Sequence, residues 1–128
     1  MSHFVDRAAA VIPGGVNSPV RAFRSVGRDP IFAAKAKGCI ITTTEGKELT
    51  DLCLSFGPMI LGHAHPAVVD AIQVAAAHGT SYAITTEAEI QIAELIAEAI
   101  PAIDKIRLVN SGTEAVMSAL RLARGATG

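Results

Sequence analysis

The sequence predicts an α/β fold that opens with a small antiparallel sheet and continues into the start of a larger α/β domain. Three short runs with strand composition lie between residues 31 and 54, and the Glu-Gly-Lys turn at 45–47 fits a tight hairpin between the last two. After residue 56 the pattern changes to helix, helix, strand and helix. We therefore expect two parts: 1–56, with a helix and three strands, and 57–128, the incomplete start of a large domain.

The first part should contain one helix and three strands. Ser2 can cap a helix that runs to about Ile12, where a Pro-Gly-Gly run ends it. Residues 14–27 show no periodicity and are rich in turn formers. Cys39 and Cys53 lie in apolar strand candidates, which favours buried free thiols over a disulfide. The predicted strands are 31–36, 39–44 and 48–54.

Two helices with clear boundaries open the second part. Pro66 suits the first position of a helix over 66–78, which Gly79 should end. The next helix, 87–99, begins with a capping box of Thr and Glu three residues apart. We expect a buried apolar stripe on each helix. The stripe positions are Val68, Ile72, Ala75 and Ala76 on the first, and Ile92, Leu95, Ile96 and Ala99 on the second.

The turn between a predicted strand at 105–109 and the last helix can bind an anion. The first amides of a helix are unpaired and carry partial positive charge. Gly112 lets a ligand approach the backbone, and Ser111 and Thr113 add hydroxyl donors. These features suit a phosphate monoester. A plain capped helix is the alternative, because Ser111 and Glu114 also have capping-box spacing.

Composition argues against several classes of function. The net charge of -1 favours neither nucleic acid nor a membrane surface, and no apolar run reaches the ~20 residues that span a bilayer. The N-terminus lacks the basic start and apolar core of a secretory signal, so we expect a cytoplasmic protein. Half of the residues are hydrophobic and only 18% are charged, which predicts missing chain or a partner subunit.

Two histidines two residues apart raise the question of a metal site. His63 and His65 have a spacing that can supply two ligands. No acidic or thiol partner lies close by in the sequence, so a structural role in the loop is favoured and no metal is expected.

Three segments carry a family resemblance: PGGVNSPVRAF at 13–23, GPMILGHAHPAVVDAI at 57–72 and VNSGTEAVMSALRLARG at 109–125. Together they resemble the glutamate-1-semialdehyde aminomutase family, which is a branch of the class III pyridoxal-phosphate-dependent aminotransferases. They follow the family in order and spacing, and the resemblance covers nearly the whole chain. It implies the N-terminal portion of the aspartate-aminotransferase-like fold (fold type I). The last two segments are shared across class III, whereas the first is specific to the aminomutase.

The resemblance also implies roles for individual residues. Arg21, with Ser18 beside it, would bind the substrate carboxylate, because a guanidinium gives a carboxylate two parallel hydrogen bonds. Phe56 stands where the family usually has tryptophan, which keeps an aromatic wall near the substrate but loses the indole donor. The implied cofactor-phosphate ligands are Ser111, Gly112 and Thr113.

The implied reaction is the conversion of glutamate-1-semialdehyde to 5-aminolevulinate, the tetrapyrrole precursor, by a homodimer that uses pyridoxal and pyridoxamine 5'-phosphate. The family's Schiff-base lysine and ring-nitrogen aspartate come later in its chain, so we expect an N-terminal part that is inactive alone. One alternative is another class III ω-aminotransferase, which would share the segments at 57–72 and 109–125 but not GGVNSPVR. The other alternative is a non-catalytic truncated module. The lysines that do not match the family's catalytic lysine are Lys35, Lys37, Lys47 and Lys105.

Overall fold

The structure is a computed structural model that describes residues 3–128. The chain folds into two compact units, Met1–His78 and Gly79–Gly128. The predicted boundary between 1–56 and 57–128 concerns the domains of the complete fold, whereas these two units are defined by contacts within the chain. The predicted boundary therefore stays a prediction. The predicted cap at Ser2 lies outside the described residues.

The first unit contains two helices and a three-stranded antiparallel sheet in the order β1-β2-β3. Single 3-10 turns replace regular structure where the sequence predicted no periodicity, at Pro13–Gly15, Pro19–Ala22 and Arg24–Val26. The helix over 66–78 has the predicted bounds. The elements are α1 (His3–Val11), β1 (Ala33–Lys37), β2 (Ile40–Thr43), β3 (Glu48–Thr50), a 3-10 turn (Leu54–Phe56) and α2 (Pro66–His78).

The predicted hairpin between β2 and β3 is confirmed, and Thr43 organises it. The Thr43 amide donates to the Lys47 carbonyl across 2.8 Å, and the Thr43 hydroxyl accepts the Lys47 amide across 3.1 Å. Gly46 has φ 80°, in the left-handed region that glycine adopts at no steric cost. Thr43 is buried, so its polar atoms need partners within the protein, and these bonds supply them.

The third strand is shorter than predicted, since it ends at Thr50 instead of residue 54. The cause is Asp51, whose carboxylate accepts the amides of Cys53 and Leu54. A side chain that bonds its own neighbouring backbone offers those amides an alternative to a sheet ladder. The chain therefore leaves the sheet at residue 51 and enters the 3-10 turn.

The second unit contains α3 (Glu87–Ala99) and α4 (Gly112–Thr127). Both predicted helices are confirmed, and Thr86 and Glu89 form the predicted capping box. The predicted strand at 105–109 is wrong for this structure, because no strand occurs in the second unit as described. A strand needs a neighbour to receive its amides and carbonyls, and α3 and α4 offer none.

The predicted apolar stripes lie on the helices but are not buried. Ile72 is 61% exposed and Leu95 is 61% exposed, while Ala22 is the buried apolar side chain within residues 3–128. Cys39 and Cys53 are free, as predicted, but exposed. No helix in the described part of the chain is long and apolar enough to cross a membrane.

Candidate functional site

The predicted cofactor turn starts α4. Ser111 is the N-cap residue, with extended backbone at φ -152°. Its hydroxyl accepts the Glu114 amide across 3.3 Å and donates to Glu114 Oε2 across 3.0 Å. The Ala115 amide donates to the Ser111 carbonyl across 3.0 Å. The sequence therefore folds here as a capped helix, and the Ser111 hydroxyl is already engaged.

Three donors at the same helix start have no partner within residues 3–128: the amides of Gly112 and Thr113 and the hydroxyl of Thr113. All are exposed, and a Cβ built on Gly112 would meet nothing within 4 Å. Unpaired amides at the positive end of a helix suit an anion. This donor set fits a phosphate group, provided that the Ser111 hydroxyl turns from Glu114 to join it.

The predicted substrate residues lie in the first unit, and the backbone joins two of them. The Arg21 amide donates to the Ser18 carbonyl across 3.0 Å, so one 3-10 turn carries both side chains. Arg21 is exposed, and its guanidinium has no hydrogen bond or ion pair with any described residue. Phe56 is 76% exposed, with φ 65°.

The structure contains a carboxylate–imidazole pair that the sequence analysis did not predict. Its members, Asp51 and His63, lie on either side of Phe56 in the sequence. His63 Nε2 donates to Asp51 Oδ2 across 2.6 Å, and the two side chains are only 17% and 5% exposed. The His63 ring and the amides of Cys53 and Leu54, in that order, hold the pKa of the Asp51 carboxyl below its usual range. One part of this arrangement could have been predicted from the sequence. An aspartate directly after a strand often accepts hydrogen bonds from the backbone amides of the turn that follows.

Both histidines of the predicted loop have structural contacts. His63 exchanges two backbone hydrogen bonds of 2.8 Å with Gly38, which ties the loop to the sheet. The His65 carbonyl accepts the amides of Val68 and Val69 at the start of α2. Within the described residues, no group of three or more His, Cys, Asp or Glu side chains could hold a metal ion.

Comparison with known proteins identifies relatives for most of the chain. The sequence model of the family described as aminotransferase class-III matches residues 23–128. The chain is similar to the glutamate-1-semialdehyde 2,1-aminomutase of Rhodopirellula baltica, with 61% identity over 96% of this chain. It spans only 28% of the length of that relative.

Solved structures agree with the sequence comparison. An omega-transaminase from Sphaerobacter thermophilus is similar to this chain with a TM-score of 0.86 and 37% identity, over 94% of this chain and 27% of the transaminase. A transaminase with PLP bound is similar with a TM-score of 0.86 and 36% identity, over 94% and 28%. The predicted aspartate-aminotransferase-like fold, N-terminal portion, is therefore confirmed.

Proposed function

We propose a function from one premise: this chain belongs to the class-III aminotransferase family, whose sequence model matches residues 23–128. In this proposal, the chain is part of a pyridoxal-phosphate-dependent aminomutase that converts glutamate-1-semialdehyde to 5-aminolevulinate. One observation carries the choice of substrate, namely the 61% identity to a curated aminomutase over 96% of the chain.

The start of α4 is the proposed phosphate site. The amides of Gly112 and Thr113 and the hydroxyl of Thr113 donate to the phosphate oxygens, and the Ser111 hydroxyl joins them after leaving Glu114. The lack of internal partners for the first three donors supports this role. When bound, pyridoxal phosphate supplies an electrophilic carbonyl and an electron-accepting ring.

The 3-10 turn at Pro19–Ala22 is the proposed carboxylate site. Arg21 binds the substrate carboxylate through two parallel hydrogen bonds, and Ser18 adds a polar contact beside it. Because the Arg21 guanidinium has no partner within residues 3–128, no internal side-chain bond must break before the substrate binds. Phe56 contributes an aromatic wall that excludes water from the reacting part of the substrate.

The remaining parts of the enzyme come from sequence that this chain does not contain. The lysine that holds the cofactor and the acidic residue at the ring nitrogen belong to that sequence. We propose a cytoplasmic homodimer for the whole enzyme. The 128 residues alone should not turn over substrate.

The test uses a completed chain, in which residues 1–128 are joined to the part of the Rhodopirellula baltica relative that the match leaves uncovered. We expect it to form 5-aminolevulinate from glutamate-1-semialdehyde. Arg21→Ala should lower kcat/KM by about 30-fold or more, as expected when a charge-assisted bidentate contact is lost. Arg28→Ala, also exposed, is the matched control and should leave kcat/KM unchanged.

A class III ω-aminotransferase is the second candidate, and the structural similarity to the Sphaerobacter thermophilus omega-transaminase favours it. It predicts that the completed chain transfers amino groups between an ω-amine and a keto acid, with no dependence on Arg21. A completed chain that shows this activity and forms no 5-aminolevulinate would replace the aminomutase proposal.

A further inference from the structure

The turn after β3 has a backbone shape that its side chains disfavour. Leu54, Ser55 and Phe56 have φ of 51°, 53° and 65°. Left-handed backbone at three consecutive non-glycine residues is rare, because Cβ crowds the following carbonyl oxygen. Such strain persists where the surroundings over-determine it, and it clusters at functional sites. Something outside these three residues must therefore hold the turn.

Asp51 is positioned to hold it from one side. Asp51 Oδ1 accepts the amides of Cys53 and Leu54 across 2.8 and 3.0 Å. Its other oxygen, Oδ2, accepts His63 Nε2 across 2.6 Å. With the Asp51 side chain only 5% exposed, water competes little for these bonds. One carboxylate thus fixes the first amides of the turn and is itself held by a ring.

His63 in turn is fixed to the sheet. Its amide and carbonyl each bond Gly38, which follows β1, across 2.8 Å. Gly62 makes this approach possible, since a Cβ there would lie 2.8 Å from the Gly38 carbonyl oxygen. The connection therefore runs from the sheet through His63 and Asp51 to the turn. We call the Asp51–His63 pair the clamp.

The Phe56 ring is largely uncovered within residues 3–128. It is 76% exposed and contacts no other ring among the described residues. The backbone of the turn consequently sets the direction in which the Cα–Cβ bond of Phe56 leaves the chain. We propose that Asp51 and His63 are positioning residues whose clamp presents Phe56 to the substrate. This inference rests on the proposed function, in which Phe56 is a wall of the substrate pocket.

The first arm of the test observes the ring directly. A fluorinated phenylalanine is incorporated at Phe56 of the completed chain, and its fluorine NMR signal is recorded. We expect one narrow signal in the parent and in the control Asp70→Asn, which changes an exposed carboxylate on α2. Asp51→Ala should shift or broaden the signal. An unchanged signal in Asp51→Ala overturns the proposal.

The second arm separates positioning from general stability. Asp51→Ala should lower kcat/KM for glutamate-1-semialdehyde by about tenfold or more, as small misplacements of pocket groups do, without changing the absorbance of bound cofactor. In a Phe56→Ala background, Asp51→Ala should cause no further loss, because the positioned group is gone. Equal losses in both backgrounds overturn the positioning role.

Asp51→Asn keeps the test valid if Asp51→Ala does not fold. Asparagine retains an acceptor for the Cys53 and Leu54 amides but removes the charge that His63 meets, so an intermediate fluorine shift and kcat/KM are expected. If the unsubstituted completed chain has no aminomutase activity, the proposed function is wrong, and the positioning role that rests on it is wrong as well. If the completed chain is active but the fluorine signal does not change in Asp51→Ala, the positioning role of the clamp is wrong and the proposed function stands.

Discussion

The two units of the chain are organised by contacts of different range. In Met1–His78, strands pair with strands, and Gly38 and Asp51 both bond His63 from distant points in the sequence. In Gly79–Gly128, the side-chain hydrogen bonds of α3 and α4 are helix caps and other pairs within four residues, and the two helices do not pack against each other. A capped helix forms from neighbouring residues, whereas a strand forms only when a partner strand is present.

Amide hydrogen exchange on this chain gives the largest expected contrast between the two kinds of order. The amides of Gly38, Thr43 and His63 are bonded across the sheet or the loop. We expect them to exchange at least about 100-fold more slowly than the amides of 105–109, which form no strand. Similar rates in the two segments would break the comparison.

A glycine pair tests whether close packing holds the first unit together. Gly62 and Gly46 have nearly equal φ, 77° and 80°, but only Gly62 faces backbone, at 2.8 Å from its ideal Cβ. Gly62→Ala should destabilise the Gly38–His63 bridge by about 2–4 kcal/mol, whereas Gly46→Ala should destabilise the β2–β3 hairpin by about 1 kcal/mol from φ strain alone. Native-state exchange measures the first effect as the opening free energy of the His63 amide and the second as that of the Thr43 amide. Equal values would mean that the contact at Gly38 is unimportant.

A serine pair tests whether local capping is enough for the second unit. Ser111→Ala removes the hydroxyl that accepts the Glu114 amide. We expect α4 to lose about 1 kcal/mol of stability, seen as reduced helical chemical shifts over its first turn. Ser118→Ala, in the middle of α4, should instead add up to about 0.5 kcal/mol of helix propensity. No loss in Ser111→Ala would show that the cap is dispensable.

Acid pH gives the smallest effect, which we expect at the turn that Asp51 holds in the first unit. The pKa of Asp51 is lowered on folding by its bonds to His63, Cys53 and Leu54. Its stabilising contribution is therefore fully present above the ordinary aspartate pKa of about 3.9 and is lost as the pH falls through the lower folded value. Chemical shifts of the Cys53 amide, followed from neutral to acid pH, should report this step. Asp51→Asn should abolish it, and a step that persists would assign it to another group.

The predicted elements that the structure confirms are those with local signals. Pro66 and Gly79 mark the limits of α2, and the Thr86–Glu89 capping box marks the start of α3. The hairpin turn at 45–47 was predictable because glycine alone adopts its left-handed backbone without strain. The proposed ligand residues became visible through motif resemblance, and their roles stay predictions.

The elements that were mispredicted depend on distant partners. β3 ends early because Asp51 bonds the backbone that follows it, and Asp51 in turn bonds His63, which is 12 residues away. The stripe residues Ile72 and Leu95 have helical periodicity, yet they remain exposed because periodicity specifies a face and not what covers it.

By itself, the sequence determined the helices, the caps of α3 and α4, the hairpin and the family, because each depends on residue types at short, fixed spacing. The tertiary structure alone decided where β3 stops, that 105–109 is not a strand here, and that Asp51 meets His63. These outcomes depend on which distant groups come within hydrogen-bonding distance, and that distance is a property of the folded chain rather than of any one segment.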